Sequence, residues 1–345
     1  MLSNSNASSK AKALMEYFAS IYGKKILSAQ HTKTIEQIEL KDIQMWTEKQ
    51  PAICGFELLG YSSNVNYLDI TQEGIQEIME NRNTIDTAID WAKKGGIVTY
   101  TWHWYSPLGG RDKSFYTKHT DFDLAKAMEG KCPEYTAILR DLDLVADYLK
   151  RFRDLDIPIL WRPFHEMDGG WFWWGASTPE ACVKLWRLMY NRYVNVHGLN
   201  NLIWVWNCGY DGSKEVQDVD HAWYPGDEYV DIISRDIYYP SREIWKKQFD
   251  ETVAVTKAYK MVSLAECGKF PFATEALKGN APWLWAMTWC WGDVHHPESF
   301  VPDSEFDTSD SSERLEAIRR EVPAMQKDFY ADENVVTLDI LPWNC

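Results

Sequence analysis

Two glutamates stand at places in the sequence where their carboxyl groups could act together on a substrate. Glu166 follows His165 and precedes a Gly-Gly pair and an aromatic block, and Glu266 lies at the end of a short apolar run. Two carboxyl groups at one site can divide acid and base work, because a protonated one donates a proton while an ionised one attacks or activates water. This is the chemistry that breaks a glycosidic bond. A strand-end glutamate on its own is more often a cap or an ion-pair partner, so the hypothesis depends on the pair.

Eight short apolar runs, rich in β-branched and aromatic residues, are spread along the chain. They cover 26–31, 52–57, 96–104, 158–166, 202–207, 230–238, 261–268 and 283–291. Most are continuous rather than alternating, which is typical of parallel strands buried on both faces. Helical patterns lie between most of them, at 34–49, 72–94, 134–154, 178–197, 241–258 and 311–330. This order predicts an α/β protein with a single (β/α)₈ TIM barrel, in one domain that covers residues 1–345.

Polar and reactive side chains gather at the carboxyl ends of these runs, where barrels of this type carry their chemistry. They are His31, Glu57, His103, His165, Glu166, Asn207, Asp236, Tyr238 and Glu266. The fourth and seventh strands of such a barrel face each other across the lumen, so Glu166 and Glu266 are expected to converge over its mouth. A separation of about 5 to 5.5 Å would allow nucleophilic displacement with retention.

The residues alone leave the roles of the two glutamates open. His165 and the aromatic neighbours would partly desolvate Glu166, which raises a carboxyl pKa and favours the acid role. Tyr238 would donate a hydrogen bond to Glu266 and favour its ionised form.

Aromatic residues are unusually frequent, with 18 Trp and 18 Tyr. Flat apolar faces with polar edges suit stacking against pyranose rings, whereas core packing is the alternative for any single ring. The clustered tryptophans are Trp102, Trp104, Trp171, Trp173, Trp174, Trp289 and Trp291.

The segment 161–175, WRPFHEMDGGWFWWG, resembles the acid/base signature of glycoside hydrolase family 26, a family of retaining barrel enzymes dominated by endo-β-1,4-mannanases. The likeness extends over about residues 26 to 291. Four further segments resemble motifs of the family, namely Trp102-His103, Asp236-Ile237-Tyr238, Ala265-Glu266-Cys267-Gly268 and Thr288-Trp289.

The resemblance implies a retaining endo-β-1,4-mannanase that needs no cofactor and no metal. Glu166 is then the acid/base and Glu266 the nucleophile. Arg162 is expected to hold carboxylates by bidentate hydrogen bonds. The substrate-binding residues that the resemblance implies are His103, Arg162, His165, Trp171, Asp236, Tyr238 and Trp289, with Trp291 as the alternative to Trp289.

The chain departs from the family pattern next to the acid/base. Asp168 stands where many members have Asn, and Gly170 precedes Trp171. Contacts to a leaving-group sugar are therefore expected to differ here. Because the family also contains enzymes for mixed-linkage β-glucan and β-1,3-xylan, these polysaccharides are the alternative substrates.

Charge and composition narrow the classes of partner. The formal net charge of −15 argues against nucleic acid and anionic membranes, which require basic patches, and leaves a neutral polysaccharide of the β-mannan type. No apolar run is long enough for a membrane helix, and the first 25 residues contain no apolar run of the length that a signal peptide has. We expect a monomer, secreted with a leader absent from this sequence rather than cytoplasmic. Seven cysteines without a CxxC pair argue against a zinc ribbon or a disulfide scaffold.

Two rival interpretations have lower weight. His31, His103, His165 and Asp236 could be metal ligands, but the first run contains no His-x-His pair and the fourth strand no Lys. A non-catalytic sugar-binding protein would use the same tryptophans, but it would not need two opposed carboxylates.

The connection from Ser106 to Lys131 is expected to form one side of the cleft, since it exceeds the usual length of about 2 to 6 residues for a connection between a strand and a helix.

Overall fold

The computed structural model of the chain describes residues 2–209, 221–238, 242–290 and 311–344, with the backbone alone for 242–244 and 311–319. Trp291, the alternative stacking residue, lies outside these ranges. None of the helices in these ranges combines the length and the apolarity needed to cross a membrane.

Within the described residues, eight parallel strands pair in chain order, and β8 pairs back onto β1 to close a barrel. The predicted (β/α)₈ fold is thereby confirmed. The strands are β1 (Ile26–His31), β2 (Ile53–Glu57), β3 (Ile97–Thr101), β4 (Ile159–Trp161), β5 (Leu202–Cys208), β6 (Ile232–Ile237), β7 (Met261–Cys267) and β8 (Trp285–Thr288). Every residue of these strands is buried, as the continuous apolar runs predict for strands covered on both faces.

Helices follow most of the strands and cover the outside of the barrel. They are α1 (Ser9–Ile21), α2 (Ile38–Thr47), α3 (Gln72–Glu80), α4 (Thr84–Lys93), α5 (Leu124–Ala127), α6 (Pro133–Asp154), α7 (Pro179–Asn191), α8 (Arg242–Ala254), α9 (Ala273–Lys278) and α10 (Ser311–Ala331). The single helix predicted over 72–94 is two helices, because Asn83 adopts a left-handed conformation with φ of 59° between them. Helix α7 begins where Thr178 caps the amide of Ala181 at 3.3 Å and Pro179 occupies the first turn.

The amino end of the barrel is filled by apolar side chains. Leu27, Ile97 and Ile203 of the lumen form one cluster with Leu14 and Phe18 of α1, a helix that was not predicted from the sequence. A ninth strand, β9 (Val335–Val336), pairs in parallel with the start of β1 at the same end. With this end closed, the polar side chains of the lumen lie toward the carboxyl end of the strands.

The fourth strand is shorter than predicted. The apolar run 158–166 suggested that Glu166 ends the strand, but β4 ends at Trp161 and Glu166 lies five residues further on. Pro163 has no N–H for the ladder, and both Phe164 and Glu166 have positive φ, of 51° and 50°. Glu166 is therefore presented by a tight turn above the barrel and not by the strand itself.

Candidate active site

Glu266 points into the barrel mouth because β7 contains a bulge. Along the pair of β6 and β7, Arg235 lies opposite Leu264, but the next residue, Asp236, lies opposite Glu266. The register of β7 against β8 shifts in the same interval. One extra residue reverses the alternation of side chains, so Glu266 takes the lumen face that a regular strand would give to Ala265.

Arg162 holds Glu266 and Asp236 together. Its guanidinium donates one hydrogen bond to Asp236 Oδ2, at 2.9 Å, and another to Glu266 Oε1. Its side chain is only 1% exposed, so the two carboxylates supply the negative charge that a buried guanidinium requires. Arg162 contacts carboxylates, as predicted, but its geometry differs from the prediction. It bridges two carboxylates and does not form a bidentate pair with one.

Tyr238 is the second donor to Glu266. Its hydroxyl lies 2.5 Å from Glu266 Oε2. Desolvation, followed by the negative charges of Glu266 and Glu166, raises the pKa of Tyr238 well above its ordinary value. The phenol therefore stays protonated and donates to the carboxylate, as expected from the sequence.

Glu166 is held by contacts from both sides of its turn. Its backbone N–H donates to Asn207 Oδ1 of β5 at 2.8 Å, and its carbonyl accepts from the Gly169 amide at 3.0 Å. The indole Nε1–H of Trp171 donates to Glu166 Oε2 at 2.9 Å. A non-glycine residue with positive φ is costly, and these hydrogen bonds keep Glu166 in that conformation.

The electrostatic environment of Glu166 differs from that of an ordinary surface glutamate. Although part of the residue is accessible, the protein packed around its carboxyl group raises its pKa well above the usual value, and the charges of Asp236 and Glu266 act in the same direction. The hydrogen bond from Trp171 opposes this shift. The arrangement favours a protonated Glu166 beside an ionised partner.

Carboxylate oxygens of Glu166, Asp236 and Glu266 all lie within 4.8 Å of one another. This spacing is near the value of about 5 to 5.5 Å for direct nucleophilic attack and below the range of about 6.5 to 9.5 Å that leaves room for a water molecule. Three carboxylates can also bind a cation, but here Arg162 already supplies a positive charge to two of them. Among the described residues, His31, His103 and His165 do not join Asp236 in a cluster of ligand atoms.

A buried chain of hydrogen bonds connects Glu57, His103 and His165. His103 Nδ1 lies 2.7 Å from Glu57 Oε2, and its Nε2 lies 3.2 Å from His165 Nε2. Burial opposes the charged forms of Glu57 and His103, yet each stabilises the charge of the other. The pKa of Glu57 therefore falls to about 2, and that of His103 rises. Burial, and then the charges of His103 and Arg162, lower the pKa of His165 well below its usual value. His103 is thus the donor to a neutral His165.

The tryptophan clusters divide between the core and the cleft. Trp171 and Trp289 remain partly accessible, as expected of stacking faces. Trp289 lies on the His31 ring, with centroids 3.8 Å apart and an interplanar angle of 19°, and Gln30 Nε2 donates to its carbonyl at 3.2 Å. Four other tryptophans of the clusters are packed in the core, so the alternative of core packing applies to Trp102, Trp104, Trp173 and Trp174.

The connection after β3 runs beside the turn that carries Glu166. Thr117 donates from its amide to the Trp171 carbonyl at 2.8 Å and from its hydroxyl to Gly170 O at 2.9 Å. The Tyr116 ring stacks on Phe172 at 5.6 Å. The segment 106–131 thus braces Trp171, and its contact with substrate stays a prediction.

Three residues of the site were not among the predicted functional residues. Glu57 and Asn207 were noted only as polar strand ends, and His31 as a strand end and a possible metal ligand, yet Glu57 binds His103, Asn207 binds Glu166, and His31 supports Trp289. Asn207 also donates to Asp236 Oδ1 at 2.7 Å. Their position at the carboxyl ends of the barrel strands was the signal that could have identified them.

Comparison with known proteins identifies the family of the chain. The sequence model of glycosyl hydrolase family 26 matches residues 3–297. The chain belongs to glycosyl hydrolase family 26. Within the family, it is 36% identical over 98% of its length to a mannan endo-1,4-beta-mannosidase of Thermothelomyces thermophilus, and 33% identical over 99% to mannan endo-1,4-beta-mannosidase B of a Piromyces species.

Solved structures of the family have the same fold. A Podospora anserina beta-(1,4)-mannanase superposes with a TM-score of 0.77 at 34% identity, over 100% of this chain and 70% of that one. A beta-mannanase from a symbiotic protist of the termite Reticulitermes speratus, in complex with a gluco-manno-oligosaccharide, has a TM-score of 0.77 at 27% identity, over 99% and 97% of the two chains. This chain spans 62% and 53% of the lengths of the Thermothelomyces and Piromyces relatives.

Proposed function

We propose that this chain is the catalytic barrel of a retaining endo-β-1,4-mannanase that hydrolyses internal bonds of mannan, galactomannan or glucomannan. The observation that carries the proposal is the pair Glu166 and Glu266, whose oxygens lie within 4.8 Å while only Glu266 is bound by Arg162 and Tyr238. The names of the relatives support the choice of mannan, and membership of the family supports glycoside hydrolysis.

The reaction proceeds by double displacement. Glu266 attacks the anomeric carbon and forms a glycosyl ester, while Glu166 transfers its proton to the departing glycosidic oxygen. Glu166, now ionised, then takes a proton from a water molecule that attacks the same carbon. This releases Glu266 as a carboxylate and restores the proton on Glu166. Both steps need a Glu166 that readily exchanges a proton, for which its raised pKa is suited.

The other predicted residues act around this pair. Arg162 and Tyr238 orient Glu266 and stabilise its negative charge, and Asp236 anchors Arg162. His103 and His165 offer a polar edge to the sugar that is being cleaved, and Trp289 offers it a stacking face. Trp171 touches the proton donor and therefore lies on the side of the leaving group. We expect no metal in any of these roles.

The test combines product analysis with two variants. Mannan, galactomannan, glucomannan, mixed-linkage β-glucan and β-1,3-xylan are digested side by side, and internal cleavage of the mannans is expected. Glu266→Ala should lose turnover, and azide should yield the glycosyl azide of inverted configuration. Glu166→Ala should lose activity on mannan but keep activity on aryl glycosides with good leaving groups. With this variant, azide should yield the glycosyl azide of retained configuration. Near wild-type rates on polymer in both variants would refute the mechanism, and binding of mannan without any release of reducing ends would favour the sugar-binding alternative.

A further inference from the structure

A second connection ties the turn of Glu166 to the end of β5. Asp168, two residues after Glu166, accepts a hydrogen bond through Oδ1 from the Gly209 amide at 2.8 Å. Gly209 directly follows β5 and lies two residues after Asn207, which accepts from the Glu166 amide at 2.8 Å. The two segments thus exchange hydrogen bonds in opposite directions, which fixes both their separation and their relative shift.

The backbone at Gly209 comes unusually close to the side chain of Glu166. A Cβ at this position would lie 3.3 Å from both Cβ and Cγ of Glu166 and 3.4 Å from Cζ2 of Trp171. The two contacts with Glu166 are closer than ordinary van der Waals distances, whereas the contact with Trp171 is an ordinary one, so an alanine would push the Glu166 side chain aside by a few tenths of an ångström. Glycine at this position allows the backbone just after β5 to lie directly against the methylene groups of Glu166.

We propose that Asp168 and Gly209 are positioning residues for Glu166, and that they set the efficiency of proton donation to the leaving group. The inference rests on the proposed role of Glu166 as the general acid. The turn holds Glu166 at a positive φ that its own sequence does not favour, so contacts from outside the turn must hold it there. The hydrogen bond from the Gly209 amide to Asp168 holds the Gly209 backbone in place, and this backbone limits the movement of the Glu166 side chain.

A displaced proton donor has a selective kinetic effect. Cleavage of a sugar–sugar bond needs proton transfer to a basic leaving oxygen, whereas a dinitrophenyl leaving group departs without it. A loss of positioning should therefore lower kcat/KM on mannan and spare kcat/KM on a dinitrophenyl β-manno-oligoside. A general loss of folded protein would lower both values by the same factor.

Three variants and one matched control test the proposal. Asp168→Ala removes the acceptor, Asp168→Asn keeps an amide oxygen in its place, and Gly209→Ala intrudes on Glu166 from the other side. The control is Asp332→Ala, because Asp332 also accepts a backbone N–H, from Thr274 at 2.9 Å, in the segment leading to β9 at the amino end of the barrel. Each is measured for kcat/KM on mannan and on the dinitrophenyl substrate.

We expect Asp168→Ala and Gly209→Ala to lower the ratio of the mannan to the dinitrophenyl kcat/KM by roughly 10- to 100-fold. Asp168→Asn should restore the ratio to within about threefold, and the control should leave it unchanged. An unchanged ratio in Asp168→Ala and Gly209→Ala would overturn the proposal. If Glu166→Ala itself failed to lower this ratio, the fault would lie in the role of Glu166 and not in its positioning.

Discussion

Asp236 and Glu266 face each other across β6 and β7 because β7 contains one residue more than a regular strand. The bulge places Glu266 on the lumen side beside Asp236, where Arg162 contacts both carboxylates at once. A regular β7 would direct Glu266 toward the surrounding helices and leave the guanidinium with Asp236 alone. The position of the proposed nucleophile is therefore a property of strand register as well as of sequence.

Tyr238→Phe should reduce turnover without much change in KM. The variant removes the hydroxyl that donates to Glu266 Oε2 at 2.5 Å, and a hydrogen bond to a charged group contributes about 1.5 to 3 kcal/mol. The expected fall in kcat is roughly 10- to 100-fold. Tyr259→Phe is the control, since Tyr259 is 84% exposed and precedes β7 at the opposite end of the barrel. Equal rates in the two variants would contradict a role for the Tyr238 hydroxyl.

Trp171→Phe should move the basic limb of the pH profile of kcat/KM to higher pH. Glu166 must be protonated to act as the acid, so activity falls as pH rises through its raised pKa. The Trp171 indole donates to the ionised carboxylate and lowers this pKa, hence its removal raises the pKa further. Trp343→Phe, which removes an exposed indole bound to the Gly95 carbonyl, should leave the limb in place. A shift of the limb to lower pH would be the contrary result.

Arg162→Met should destabilise the fold by about 3 to 5 kcal/mol at neutral pH, because it leaves Asp236 and Glu266 buried without their cation. The pKa of Asp236, already raised by burial despite Arg162, should rise further. The folded state then binds more protons than the unfolded state, so the free energy of unfolding should fall as pH rises.

Denaturant unfolding of this variant at pH 5 and pH 8 measures both effects. Arg192→Met is the control, since Arg192 pairs with a partly exposed Asp143 and such a pair contributes about 0 to 1 kcal/mol. A comparable loss in both variants, or a stability of Arg162→Met that increases with pH, would count against the buried bridge.

Trp289→Ala should lower kcat/KM on mannan by an amount equivalent to about 1 to 3 kcal/mol, through loss of a stacked aromatic face. Since His31 lies directly beneath the ring, His31→Ala should produce a smaller loss of the same kind by loosening Trp289. Burial lowers the pKa of His31 to about 3, so its effect should not change between pH 5 and pH 8. Kinetics of the two variants at both pH values check this, and a wild-type rate for Trp289→Ala would exclude the stacking role.

Much of the barrel could be predicted from local patterns. Continuous apolar runs identified the strands, because parallel strands buried on both faces have no polar alternation. The limits of β4 were predicted less well, since the predicted run extended to Glu166, whereas the strand ends at Trp161, before Pro163, which has no N–H for the ladder. Helix α1 was missed, although its apolar side chains close the amino end of the barrel.

The sequence by itself determined which chemistry is present, in Glu166, Glu266 and the polar strand ends, because residue type and strand position are local properties. Only the tertiary structure decided how these groups are connected. The bulge that turns Glu266 inward, the bridge from Arg162 to β6 and β7, and the contact of Gly209 with Glu166 join residues far apart in the chain. Such contacts depend on strand register and on backbone conformation. A pattern of residue types along the chain contains no information on the distances between residues that are far apart in sequence.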